Sequence, residues 1–591
     1  MKDPFRKMLD NRFGMFVHYG IYSALAGFYK GECIKGLGEW IQKNGRIPIA
    51  EYSKIGKEEF CPSRNFARDL VKAAKNAGIR YIILTSKHHD GFCLFKTAVS
   101  DYNTYDYFGR DLCRELADEC RKEGLDIGFY YSHTLDWYEK NAAGNYYAGT
   151  ELKANNRNSW DYPDDDIDFE QYLEEKCIPQ VKELLTNYGP LNIIWFDFPH
   201  DITKEQSTRL RDLVKELQPD CQINSRIAHG LCDYYSLGDN TLPTAPKGVK
   251  SECLVTLNHT WGYRKDDDAW KTPESMINIL CRCLTSDSTL LLNVGPRADG
   301  SLTPETENIL GVMGEWTRRN SDAVYGGITG NPFSSLFAWG YVSVKGENLY
   351  LYLKDNSVDS IELSGIEGNI SSVSLLGKDG EVPYSFNDGQ LTVKTLKTEL
   401  VNPVYCVKFE GTPKYSREIR QSGDEIALGI LWASKMRRGE EDKEPEKLVY
   451  EFDKYNESFR KHGLAVNSSN YAHMWTSSDE SAVWDAFISE AGTYSAELIH
   501  VPYVIYPPEE YEKPCTLKDD FTLSVGDCSA PVEKEEKSRY RISLTGGENV
   551  RIVHSAGTFN IEKPGKYRVK LSREKDGDSL SVTDVRLVKI N

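Results

Sequence analysis

Residues 66–92 read FARDLVKAAKNAGIRYIILTSKHHDGF. Phe66, Leu70, Ala73, Ala74 and Ala77 recur at helical spacing, and Gly78 supplies a stop. Tyr81–Ser86 follows as a short continuous apolar run, which is what a strand covered on both faces needs. It ends in the polar string Lys87-His88-His89-Asp90. A helix, a buried strand and a polar strand end together make a β/α unit with chemistry at its carboxyl end.

The same unit recurs on both sides of this stretch. Eight β-rich runs lie between residues 12 and 330: Phe13–His18, Tyr81–Ser86, Asp126–Ser132, Asn192–Phe198, Cys221–Arg226, Asp233–Gly238, Glu252–Asn258 and Thr289–Val294. Further helical patterns fall at Asp111–Lys122, Asp168–Tyr188, Lys204–Leu217, Pro273–Thr285 and Pro304–Asn320. Eight such runs predict an α/β fold, a (β/α)8 TIM-like barrel with its site at the carboxyl ends of the strands. An open doubly wound sheet is the other arrangement of these units.

After about residue 330 helical periodicity fades. Trp339–Val344 and Leu349–Leu353 are strand-like, with Gly and Asn turns between them, and this texture continues to about 412. It predicts a small β-sandwich over 331–412. A second all-β sandwich, carbohydrate-binding-like, is expected over 413–591, with the charged stretch Lys435–Lys447 as a loop. Within that block FISEAGTY (487–494) and FNIEKPGKY (559–567) each enter a strand after a turn glycine. The expected domains are therefore 1–330, 331–412 and 413–591.

Of the 591 residues 40% are hydrophobic, ample for sizeable cores, and 72 basic residues against 89 acidic ones leave a charge of −17. That balance opposes a nucleic-acid backbone or an anionic membrane surface as main partner and favours a neutral ligand. No stretch approaches the ~20 apolar residues needed to cross a bilayer. The start, MKDPFRKMLDNRFGMFVHYG, lacks the apolar run and cleavage site of a secretory signal. Fourteen scattered cysteines form no CxxC pair, and Cys93, Cys221, Cys253 and Cys281 sit in apolar runs. They read as reduced, buried thiols of a cytoplasmic protein.

Several strand ends carry chemistry-bearing residues: His18, the His88-His89 pair, Tyr130 with Ser132, Asp197, Arg226 and Glu252. Each alone has a plainer reading: a carboxylate as a helix cap, paired histidines as structural groups or metal ligands, an arginine as a surface ion pair. No HExxH or HxH element accompanies the histidines, so no metal is expected. Their coincidence at the ends of successive strands is what favours a site. Aromatic rings pack on the apolar face of a sugar, and His, Glu and Arg bind its hydroxyls. Glycoside hydrolysis needs two carboxyl groups. Asp197 is the obvious first. Between Ile227 and Pro273 the only glutamate is Glu252, which makes it the leading proton donor, with Asp239 in reserve.

The segments RFGMFVHYGIYS, GEWIQ, YIILTSKHHDGFCLF, FYYSHTLDW, IIWFDF, INSRI, TLNHTWGY and LLLNVGPRADG resemble, in order and at compatible spacing, the retaining α-L-fucosidases of glycoside hydrolase family 29. The resemblance spans roughly residues 5–330. It implies Asp197 as the nucleophile and a fucose pocket lined by His18, Glu39, Trp40, His88, His89, Tyr130, Trp195 and Arg226, with Trp261 beside it. It implies no metal or organic cofactor, and as partner a fucosylated oligosaccharide, with self-association an option. The family's Thr-Pro-Glu after the fifth strand is replaced here by Asp239-Asn240-Thr241-Leu242-Pro243-Thr244, whereas the glutamate of its Trp-Glu pair survives as Glu252 behind Ser251. The resemblance thus implies Glu252 as acid/base. Alternatives are a glycosidase for a fucose-like sugar such as an α-L-galactoside, and a non-catalytic fucose-binding protein on the same barrel.

Overall fold

The structure, a computed structural model, describes residues 10–142, 144, 156–163, 166–199, 202–244, 246, 248–451, 463–467, 471–502, 513–542 and 550–591. The first nine residues, part of the stretch on which the expectation of no secretory signal rests, lie outside these. Among the described residues no helix is long and apolar enough to cross a membrane.

Eight strands form one parallel sheet: β1 (Phe13–Val17), β2 (Tyr81–Lys87), β3 (Asp126–Ser132), β4 (Ile193–Asp197), β5 (Gln222–Ile223), β6 (Tyr235–Ser236), β7 (Ser251–Val255) and β8 (Ser288–Val294). Their order is β5-β4-β3-β2-β1-β8-β7-β6. The first strand pairs with the last, Phe13 opposite Leu290. The two-residue strands β5 and β6 meet through a parallel bridge between Asn224 and Tyr234 and a 2.9 Å bond from Asp233 N–H to Ile223 C=O. These contacts close the sheet on itself as a TIM-like barrel.

The outer helices fall where apolar periodicity placed them: α1 (Phe66–Ala77), α2 (Leu112–Glu123), α3 (Ile178–Asn187), α4 (Lys204–Leu217), α5 (Pro273–Thr285) and α6 (Pro304–Arg319). Gly78 ends α1 at φ +87°, and a Cβ there would lie 2.4 Å from Thr317 Oγ1. Thr203 and Gln206 form a capping box at α4. The helix expected over Asp168–Tyr188 contains a π turn at Leu173–Cys177. No helix joins β5 to β6 or β6 to β7 among the described residues; a short 3₁₀ turn, Ser225–Ile227, and a loop do so.

Side chains fill the barrel interior rather than leaving a pore. Phe16, Tyr81, Tyr130, Trp195, Tyr234, Leu254 and Leu291 form one buried cluster. Burying each large apolar side chain contributes about 1.5–3 kcal/mol. A floor built of rings leaves the polar strand ends above it facing the mouth.

Past the barrel the described residues are mainly β-structure. A four-stranded sheet runs β9 (Gly340–Lys345), β10 (Asn348–Leu353), β15 (Val404–Phe409), β12 (Ile370–Leu375), and a three-stranded one runs β11 (Ser360–Ser364), β14 (Gln390–Lys394), β13 (Tyr384–Asn387). Val342 and Leu351 from the first share one core with Leu363 and Val393 from the second. Farther on, β16 (Glu425–Gly429), β23 (Val582–Lys589), β19 (Gly492–His500) and β21 (Val550–Ile561) line up in one sheet. A second sheet contains β17 (Ser434–Arg437), β18 (Glu480–Ile488), β22 (Gly565–Arg573) and β20 (Phe521–Val525). Trp484, Leu498, Phe559 and Leu571 join the two in one core. Gly492 and Gly565 open strands, as their turn position suggested.

Two expectations are corrected here. The stretch Lys435–Lys447 is not wholly a loop: its first residues belong to β17, paired with β18, with Lys435 and Met436 buried. The charge that suggested a loop is compensated, since Lys435 Nζ lies 3.5 Å from Glu480 Oε1. The cysteines form no disulfide among the described residues, and the four named ones are buried, but Cys33, Cys61 and Cys528 are exposed.

Candidate active site

Asp197 is the last residue of β4, two residues after the inward-facing Trp195. Its Oδ2 accepts from the Tyr130 hydroxyl at 2.8 Å, and its Oδ1 from Arg226 Nη1 at 2.9 Å. Burial alone would raise its pKa. The Arg226 charge and the two hydrogen bonds outweigh that and hold the carboxyl below the usual range, ionised at neutral pH. The next residue, Phe198, has φ +61°, a left-handed conformation costing about 1–3 kcal/mol in a non-glycine residue. His133 Nδ1 donates to the Asp197 carbonyl at 2.8 Å, and the Thr134 hydroxyl donates to that of Phe198. These two bonds fix the turn that presents the carboxylate.

Arg226 sits in the 3₁₀ turn after β5, its guanidinium 4.9 Å above the Trp195 ring. Its other terminal nitrogen, Nη2, donates to Asp239. One guanidinium therefore holds two carboxylates, Asp197 at the strand end and Asp239 on the loop after β6. The Asp239 side chain is 52% exposed, against 14% for Asp197. Its loop is pinned beside β7: Leu237 N–H donates to the Glu252 carbonyl, and Asn240 accepts from Thr256 through both backbone and hydroxyl at 2.9 Å.

Three imidazoles line the opposite wall. Asn293 donates to the Trp261 carbonyl at 2.8 Å, which fixes its amide, so its oxygen accepts from His18 Nδ1 at 2.7 Å. The Ser132 hydroxyl donates to the Leu135 carbonyl, so His89 Nδ1 donates to Ser132 Oγ at 2.7 Å. Both rings thus carry a proton on Nδ1, and His18 presents Nε2 as an acceptor. His89 Nε2 lies 3.8 Å from Asp197 Oδ2. Burial pushes His18 down to about 4, and burial together with the neighbouring imidazoles pushes His88 down as well. His18 and His88 are therefore neutral and polar, suited to hydroxyl groups rather than to an anion.

Aromatic contacts tie the remaining expected residues into the same wall. His88 stacks on Tyr130 with centroids 5.4 Å apart, Tyr130 on Trp195 at 5.6 Å, and Trp261 packs 5.2 Å from His18. Trp40 meets His89 edge-on at 5.3 Å. Glu39 beside it is 1% exposed and accepts from Gly262 N–H at 2.8 Å, with its pKa pushed up to about 7 by burial.

Glu252 lies elsewhere. It is the second residue of β7, in the barrel interior and fully buried. Trp195 Nε1, the Tyr81 hydroxyl and the Tyr234 hydroxyl donate to it at 3.0, 3.1 and 3.4 Å. Burial pushes its pKa up to about 7. A glycosidic proton donor must touch the leaving oxygen and later deprotonate an incoming water. Glu252 is sealed beneath three aromatic side chains, so its position does not match the acid/base role expected of it.

Other supports had no prominence in the sequence. Asn293 stands at the end of β8 inside LLLNVGP, where its strand-end place was the available signal. Beneath the histidine pair Asp136 accepts from both Lys87 and Lys176 at 3.0 Å, a buried ion network. Lys176, on the π turn far along the chain, carried no signal.

The alpha-L-fucosidase family model matches residues 2–322. The chain belongs to that family. It is accordingly an enzyme, a glycoside hydrolase. Tissue alpha-L-fucosidase of Bos taurus is 27% identical over 416 residues, covering 64% of this chain and 81% of the relative. The crystal structure of alpha-L-fucosidase from Vibrio sp. strain EJY3 superposes with a TM-score of 0.81 at 25% identity, covering 100% of this chain and 98% of that one. Alpha-L-fucosidase isoenzyme 1 from Paenibacillus thiaminolyticus is 33% identical, with a TM-score of 0.61 over 69% of this chain and 99% of its own.

Proposed function

We propose that this family member is a retaining exo-α-L-fucosidase that removes terminal α-L-fucosyl residues from oligosaccharides, with Asp197 as nucleophile and Asp239, not Glu252, as acid/base. The observation that carries the reading is the shared arginine: Arg226 binds Asp197 with one nitrogen and Asp239 with the other, at the open face of the barrel. Asp197, ionised and aimed by Tyr130, attacks the anomeric carbon while Asp239 protonates the departing oxygen. A covalent β-fucosyl intermediate results. Asp239 then removes a proton from water, which attacks the same carbon and releases α-L-fucose. The reaction requires the two carboxyls about 5–5.5 Å apart once sugar is bound. Fucose is neutral and carries an apolar C6 methyl, which suits a wall of the uncharged His18 and His88 and of aromatic rings.

Around this centre we read residues 1–330 as the catalytic unit and 331–412 and 413–591 as two β-sandwich domains, each supported by its own shared core. The free thiols support a cytoplasmic location, which cell fractionation tests directly, and there the substrates would be short oligosaccharides.

The decisive test is chemical rescue on 4-nitrophenyl α-L-fucoside. Azide is expected to restore turnover to Asp239→Ala with α-L-fucosyl azide as product, retained because azide attacks the covalent intermediate. In Asp197→Ala azide is expected to give the inverted β-azide. Rescue of Glu252→Ala in place of Asp239→Ala would return the acid/base role to Glu252.

A further inference from the structure

In the C-terminal block, His500 at the end of β19 and His554 on the neighbouring β21 face each other with their Nε2 atoms 3.0 Å apart. Leu498 is opposite His554 in the ladder and His500 is opposite Ile552, so the two histidines are a diagonal pair on one face of the sheet. Their rings are nearly parallel, with an interplanar angle of 17°. The Cys515 thiol completes a group whose three ligand atoms all lie within 4.8 Å of one another.

The hydrogen bonds on the far sides of the rings decide what belongs in the middle. His500 Nδ1 lies 2.9 Å from the Val501 carbonyl, and His554 Nδ1 lies 3.1 Å from the Glu535 carbonyl. A carbonyl only accepts, so both Nδ1 atoms carry the proton. Each neutral ring then points a lone pair at the other's lone pair, which repels at 3.0 Å. A positive centre between them must remove that repulsion. A shared proton would create a buried imidazolium and leave the Cys515 thiol without a part, whereas a divalent cation brings in the thiolate as a ligand and counter-charge. Backbone carbonyls gripping Nδ1 while Nε2 points inward is the outer-shell arrangement that orients metal-binding imidazoles.

We propose that His500, His554 and Cys515 form a binding site for a thiophilic divalent cation, Zn²⁺ first, in the C-terminal block. Two imidazole nitrogens and a thiolate suit zinc, with water as fourth ligand. On binding, the Cys515 thiol gives its proton to solvent, so one M²⁺ and one thiolate leave the site with a single net positive charge. The Cys515 backbone N–H is held by Glu536 Oε2 at 2.9 Å, and Glu536 is in turn paired with Arg539, so the thiol's segment is anchored next to the two strands. The ion would staple β19, β21 and the Cys515 segment together. No compact motif announces the site, since its ligands stand at 500, 515 and 554.

The test uses the full-length protein, stripped with a chelator and titrated with Zn²⁺ against a chromophoric competitor. Wild type is expected to take up one equivalent that raises its unfolding temperature. Cys515→Ser and His554→Gln are each expected to weaken that equivalent by at least about tenfold. Co²⁺ in wild type is expected to give a thiolate charge-transfer band that Cys515→Ser abolishes. Cys528→Ser, at an exposed thiol outside the cluster, should change nothing. Turnover of the aryl fucoside, expected to be unchanged in every variant, reports folding. The proposal falls if wild type binds no equivalent, if Cys515→Ser folds and binds like wild type, or if Cys528→Ser removes the site.

Discussion

Two carboxyl environments share this barrel. At the rim, Asp197 and Asp239 grip one guanidinium and one of them meets solvent. A few residues inward, Glu252 is enclosed by Tyr81, Trp195 and Tyr234. Both are carboxyl groups on strands of one sheet, yet the arginine drives the Asp197 pKa down whereas enclosure drives that of Glu252 up. Depth along the strand, not residue type, separates a group able to do chemistry from one that braces the floor.

The contrast can be broken most severely at Asp197. Its replacement by Ala is expected to lower kcat for the aryl fucoside by roughly 10⁴-fold or more. Arg226→Ala should follow, with a loss of roughly 10²–10³-fold in kcat/KM. Without the guanidinium the Asp197 pKa rises, so the acid limb of the pH profile should move to higher pH; an unmoved limb would deny Arg226 its electrostatic role. Asn293→Ala frees the His18 tautomer and should cost about 1 kcal/mol, or roughly fivefold, read as a rise in KM with little change in kcat.

The smallest kinetic effect is expected at Glu252. Glu252→Gln should alter kcat less than Asp239→Ala does, and its signature lies in stability. With the folded pKa near 7 and the ordinary value at 4.5, the native state keeps a proton that the unfolded chain has already released. The stability this group contributes is fully present below about pH 4.5 and lost as pH rises through 7. Between pH 5 and 8 the unfolding midpoint of the variant should therefore fall less than that of wild type. Glu39 and Asp90, also pushed up to about 7, supply the slope that remains. Parallel curves would show that Glu252 does not titrate there.

The barrel was legible because eight covered strands leave eight apolar runs, and His88-His89, Asp197 and Arg226 because they punctuate strand ends. Glu252 stands apart from the rim residues for a physical reason. Counting glutamates after Arg226 finds the residue type, but whether its position on β7 is above or below the ring layer depends on the stagger between strands, which only the assembled sheet sets. Ser434–Arg437 was hidden by its charges because the partner of Lys435, Glu480, stands 45 residues away. The Lys87–Asp136–Lys176 network escaped for the same reason, its members being joined across three elements.

The seam where the barrel closes has a temporal consequence. Elsewhere in the sheet strands of five to seven residues zip together, but β5 and β6 are two residues each and meet through a bridge. Fewer ladder bonds make this the segment with the lowest opening free energy, so its amides should exchange with solvent deuterium ahead of those of β4. Arg226 and Asp239 ride on that seam, whereas Asp197 rides on the firm strand beside it. Under the mechanism proposed above, Asp197 would then be a stationary reference against which Asp239 moves, so that one centre could reach leaving groups of different bulk.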